Sequence, residues 1–141
     1  MSQTQTIPPR PPLRTAGFWM AVPMAGLQAF NVLRVSLDPA AFASYMGAPL
    51  PVGGDPSWVF IYGLRTAFIA LLVTLFLVRR DLTALKWTAL AALVMPVGDA
   101  WVAHQAGAAT LTVARHGAIA VYLLLTTIAL FAAARGRGPA A

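Results

Sequence analysis

The sequence predicts an all-α integral membrane protein: a four-helix bundle, up-down-up-down, with both termini cytoplasmic. Three observations carry that prediction. Of the 141 residues, 59% are hydrophobic and only 10% charged, against roughly a quarter charged in an average soluble domain. Four apolar runs each have the length a helix needs to cross a hydrocarbon core about 30 Å thick. Lys and Arg collect at one set of ends of those runs, which is how orientation is set. The net charge of +6 therefore belongs to membrane topology, and no nucleic-acid partner is expected. With no Cys, a disulfide framework and a thiolate metal site are both excluded.

Residues 1–16 form a basic, Pro-rich cytoplasmic tail, with Pro8, Pro9, Pro11 and Pro12 favouring extended polyproline backbone between Arg10 and Arg14. The membrane domain covers 17–134. Its first span is about 17–37, with Pro23 near the start, where a helix tolerates it best. The run exceeds the 7–15 residues of a signal-peptide core and carries Gln28, Asn31 and Arg34, so it reads as a retained span. The loop 38–56 is punctuated by Pro39, Pro49, Pro51, Pro56 and the Gly53-Gly54 pair. Within it, Ala40–Met46 is expected to form a short interfacial helix, with Asp38 as N-cap and Pro39 at the first position. Asp55 reads as a loop cap. The second span is 57–78, apolar throughout except for Arg65. In it Gly63 and Ala67 make a small-xxx-small pair suited to close helix packing. The third span, about 84–103, has Pro96 as an expected kink. After a turn at 104–110 comes the fourth, about 111–133, and a short basic tail at 135–141.

Arg10, Arg14, Arg79, Arg80, Lys86, Arg135 and Arg137 all fall on one side, which the positive-inside rule makes cytoplasmic. The bacterial inner (plasma) membrane is the expected location.

The intramembrane polar residues gather in the outer half. Gln28, Asn31, Arg34 and Asp38 follow at intervals of three, three and four, on one face of the first span. Arg34 and Asp38 are an i,i+4 pair with the spacing of a salt bridge. Tyr62 and Arg65 lie in the outer half of the second span, Asp99 near the outer end of the third, and His116 early in the fourth. The expected ligand-binding set is Asn31, Arg34, Asp38, Tyr62, Arg65, Asp99 and His116. An intramembrane charge is costly enough to mark function; the plainer reading is a structural network in which Arg65 pairs with Asp99 or Asp38. Under that pairing Arg65→Gln destabilises the fold. His116, Asp99 and Arg65 are the candidate catalytic groups: imidazole titrates near neutrality, and an arginine stabilises developing negative charge. Arg115 is expected to point away from His116 and snorkel to the headgroups. His104 and His116 lack a recognised ligand spacing, so no metal and no cofactor are expected.

The ordered set Asn31-x-x-Arg34, Asp38-Pro39-x-x-Phe42-Ala43, Met46-Gly47-x-Pro49, Tyr62-Gly63-Leu64-Arg65, Gly98-Asp99-Ala100 and His116-Gly117 resembles an uncharacterised family of small four-span membrane proteins of bacteria and fungi, known as a domain of unknown function. The resemblance runs from about Gly26 to Phe131. It implies four helices and a membrane location, and it transfers no catalytic residue.

The leading expectation is a membrane protein that binds a lipophilic ligand or a partner helix in an outer polar pocket. A small isomerase- or cyclase-type enzyme working by proton transfer on a lipophilic substrate comes second. A dimeric proton-coupled transporter comes last, because the inner halves of the spans lack polar groups. Expected partners are the bilayer, a lipophilic small molecule, and a second copy or another membrane protein.

Overall fold

A computed structural model describes residues 11–135. The expected features of the tails at 1–10 and 136–141, Pro8, Pro9, Arg10 and Arg137 among them, lie outside the described residues. The described chain is all-α: α1 (Ala16–Leu37), α2 (Pro39–Met46), α3 (Ser57–Val78), α4 (Leu82–Ala92), α5 (Val94–Gln105) and α6 (Thr110–Arg135). A 3-10 turn at Pro12–Arg14 leads into α1. Three of these helices, α1, α3 and α6, are long and apolar enough to cross a membrane.

Local chemistry starts and stops each helix. Thr15 accepts from the Phe18 amide at the head of α1. Asp38 ends α1 and caps α2, accepting from the Ala41 amide at 2.8 Å, with Pro39 at the first helical position. Gly47 closes α2 at φ 88°, a left-handed conformation that favours glycine. Asp55 accepts from both the amide and the hydroxyl of Ser57, at 2.9 and 2.6 Å, and so fixes the entry to α3. Asp81 caps α4 through the Ala84 amide at 2.9 Å.

The third apolar run is not one helix. It splits at Leu93 into α4 and α5. Pro96 explains the break: it has no N–H to donate to the Ala92 carbonyl one turn back. At 11 and 12 residues, each piece is about 16–18 Å long, short of a hydrocarbon core. The two follow one another along α6. Trp87 of α4 stacks edge-on against Phe131 near the end of α6, with centroids 5.2 Å apart. Asp99 of α5 shares a chamber with His116 near its start.

Helix α1 also runs antiparallel to α6. Gly17 abuts the backbone of Ala129 and Leu130, and the Tyr122 hydroxyl donates to the Met20 carbonyl at 2.7 Å. On its other side α1 meets α3, where Val35 packs into the gap that Gly63 leaves. The small residue at 63 thus serves close packing within the chain. The core falls into two clusters. Phe18, Ala21, Val73, Leu82, Leu85, Ala89, Leu123 and Leu130 pack at the end carrying Arg14, Arg79 and Arg135. Val35, Phe42, Ala43, Met46 and Val59 pack beneath α2 at the other. A polar layer lies between the second cluster and the middle of the molecule.

Candidate functional site

Four helices bring polar groups to one depth. Counting 1.5 Å per residue from the end nearest α2, Tyr62, Asn31, Asp99 and His116 all lie about 8–9 Å along their helices. There they line a chamber of about 40 Å³ together with Gln28, Tyr45, Met46, Met95 and Pro96. The Tyr62 hydroxyl donates to Asp99 Oδ2 at 3.2 Å. His116, 3% exposed, sets Nε2 at 3.3 Å from the Met46 carbonyl at the end of α2. A carbonyl only accepts, so Nε2 carries the proton in this contact. Asn31 is 7% exposed, and its Oδ1, like Oε1 of Gln28, has no hydrogen-bond partner.

Of the seven residues expected to bind a ligand, the structure gathers Asn31, Tyr62, Asp99 and His116 and leaves Arg34, Asp38 and Arg65 outside. Arg34 does not bridge to Asp38. Its guanidinium lies 3.6 Å from the centre of the Tyr45 ring, while Asp38 is occupied as the α2 cap. Arg115 does not snorkel outward either. It too lies 3.6 Å from the Tyr45 ring centre and donates to the Tyr45 carbonyl. Two planar cations cannot share one ring face at that distance, so Tyr45 is held between them. Stacking on a ring quadrupole replaces the carboxylate partner that spacing alone predicts. Tyr45 and Gln28 line the chamber without having been in the expected binding set. Gln28 is legible as a polar residue three before Asn31 on the same face of the first span; Tyr45 carries no such signal, since α2 must first fold back over the other helices.

Arg65 departs furthest from expectation. Among the described residues it makes no salt bridge, and the hydrogen bonds of Asp99 and Asp38 go to Tyr62 and Ala41. Thr66 next to it faces the interior at 0% exposure, whereas Arg65 is exposed. One residue turns the helix by about 100°, which carries Arg65 off the buried face of α3. It reaches instead the edge of an apolar groove of about 690 Å³ between α3 and the α4–α5 leg. Leu64, Phe68, Leu72, Trp87 and Ala91 line the groove, and Met95 belongs to both its wall and that of the chamber. The fold therefore does not depend on an Arg65 ion pair.

Among the described residues no three His, Asp or Glu side chains group as a metal set. The chamber combines one carboxylate with two carboxamides, a phenol hydroxyl and an imidazole; the groove is an apolar trough with one cation.

The family model described as a domain of unknown function, DUF4267, matches residues 25–130. No curated protein and no solved structure matches the chain.

Proposed function

The chain belongs to the DUF4267 family, and we propose that it is a four-span membrane protein that holds an anionic amphiphile in the groove beside Arg65. In this reading α4 and α5 cross the bilayer together as one broken span, about 36 Å over 82–105. Both termini are cytoplasmic, on the side of Arg14, Arg79, Arg80 and Arg135, in the bacterial inner membrane.

The observation that carries the proposal is a guanidinium, without an ion-pair partner among the described residues, at the edge of an apolar trough within a span. A cation at membrane depth without a partner is costly, and an anionic head group removes that cost. The trough runs from Leu64 to Leu72 on α3, about 12 Å, and takes an acyl chain lengthwise. A second copy of this chain meets the need less well: it has no Glu, and each of its four aspartates already accepts a hydrogen bond, Asp38, Asp55 and Asp81 in caps and Asp99 from Tyr62. The chamber, at about 40 Å³, has room for a few water-sized groups and not for a lipophilic molecule. The groove is therefore the better seat for the lipophilic ligand.

Trp87 in the groove wall reports the test. With Trp19, Trp58 and Trp101 replaced by Phe, a brominated fatty acid should quench Trp87 saturably. Arg65→Gln should weaken that affinity about tenfold, the equivalent of one charge-assisted hydrogen bond. Equal quenching by a neutral brominated acylglycerol, or no effect of Arg65→Gln, refutes the proposal.

A further inference from the structure

The chamber offers a second kind of site, separate from the groove. Its polar lining is Gln28, Asn31, Tyr45, the Met46 carbonyl, Tyr62, Asp99 and His116. Asp99 supplies the formal negative charge, and no Lys or Arg is in the lining. Arg34 and Arg115 are turned onto the Tyr45 ring, and Arg65, whose charge reaches Asp99, lines the groove rather than the chamber. Two of the protons directed at these groups are already committed: the Tyr62 hydroxyl to Asp99, and His116 Nε2–H to the Met46 carbonyl. Oxygens are left over in this lining: Gln28 Oε1 and Asn31 Oδ1, both buried and without a partner, and the Asp99 oxygen to which Tyr62 does not donate. A buried acceptor without a donor is costly, and a carboxylate at membrane depth more so.

One backbone feature adds negative potential at the same place. Helix α2 ends at Met46, so its carbonyl end points at the chamber. Pro96, just past the break between α4 and α5, forms part of the chamber wall, while Ala92, whose carbonyl it cannot bond, lines the groove. Helix C-terminal ends that offer carbonyls are one way in which membrane proteins hold small cations. The absence of thiolate and paired imidazole disfavours a transition metal, and hard oxygen ligands suit an alkali cation.

We propose that the chamber binds a small monovalent cation, held by the Asp99 carboxylate and the carbonyl oxygens of Gln28 and Asn31. One carboxylate matches one positive charge, and about 40 Å³ admits a partly dehydrated ion and excludes a bulky one.

The test is thermal unfolding of the full chain in mild detergent at constant ionic strength, with choline chloride exchanged for NaCl, KCl or NH4Cl. A saturable rise in unfolding temperature with one of the small cations, lost in Asp99→Asn, is the expected result. Asn31→Ala and Gln28→Leu should each raise the half-saturating concentration about tenfold, as loss of one buried oxygen ligand predicts. If Asp99→Asn does not fold, these two variants decide the outcome. Identical unfolding in choline and in all three small-cation salts overturns the proposal, as does a rise that is unchanged in every variant. Bromolipid quenching at Trp87 does not read this site, so the two proposals stand or fall separately.

Discussion

Replacing Gly17 with alanine should separate α1 from α6. A Cβ at this position would lie 2.7 Å from the Leu130 amide nitrogen and 2.8 and 2.9 Å from the Ala129 carbonyl carbon and oxygen. All three are backbone atoms of a helix, so no rotamer change relieves the contact. Overpacking of this kind costs about 1–3 kcal/mol. The Tyr122 hydroxyl bond to the Met20 carbonyl, 2.7 Å long, lies one turn away, and stretching it adds up to about 1 kcal/mol. Alanine recovers little helix propensity here, because Gly17 is the second residue of α1. The net loss should be about 2–3 kcal/mol. Gly26 is the internal control. It is mid-helix, and a Cβ there would meet no atom within 4 Å, so Gly26→Ala should gain up to about 1 kcal/mol. Reversible unfolding in mixed detergent–SDS micelles measures both. The sign should reverse between the two positions. A Gly17→Ala variant as stable as Gly26→Ala would refute the close approach of the two helix backbones.

Tyr45→Leu should cost about 1–3 kcal/mol in the same assay, because two guanidiniums each lose a ring face at 3.6 Å, while Tyr45→Phe keeps the ring and should stay near wild type. Asp55 gives a pH signature: bonds from the Ser57 hydroxyl and then its amide hold its carboxyl below the ordinary 3.8. A depressed folded-state value means that its contribution is present above 3.8 and lost as pH falls through the lower folded value. Acid unfolding of wild type and Asp55→Asn should therefore diverge above that window and converge below it, and curves that stay parallel down to the acid end would contradict the capping role.

Periodicity and composition carried much of this protein into view because they are local properties of the chain. The bilayer acts on each apolar run separately, so α1, α3 and α6 were legible from length and hydropathy alone. Caps were legible for the same reason: Asp38 before Pro39 and Asp55 before Ser57 act on backbone groups two or three residues away. The common depth of Asn31, Tyr62, Asp99 and His116 also follows from counting along helices. What stands opposite what is not local. Arg65 and Thr66 are adjacent in sequence, yet about 100° of helical rotation sends one to the groove and the other inward, and only the packing of α1 against α3 decides which face is inward. Arg34 has an aspartate at ideal spacing and stacks on a tyrosine instead, because Asp38 is taken by the α2 amide and α2 folds back to present its ring. The break at Leu93 needed the same view: Pro96 announced a kink, but its place in the wall of a chamber shared with Asp99 and His116 exists only once α6 is in place. Which segments are helices, where most of them begin, and which residues are polar at what depth could all be read along the chain. Which of those residues meet could not, because partner choice depends on rotation about each helix axis, a quantity that packing sets.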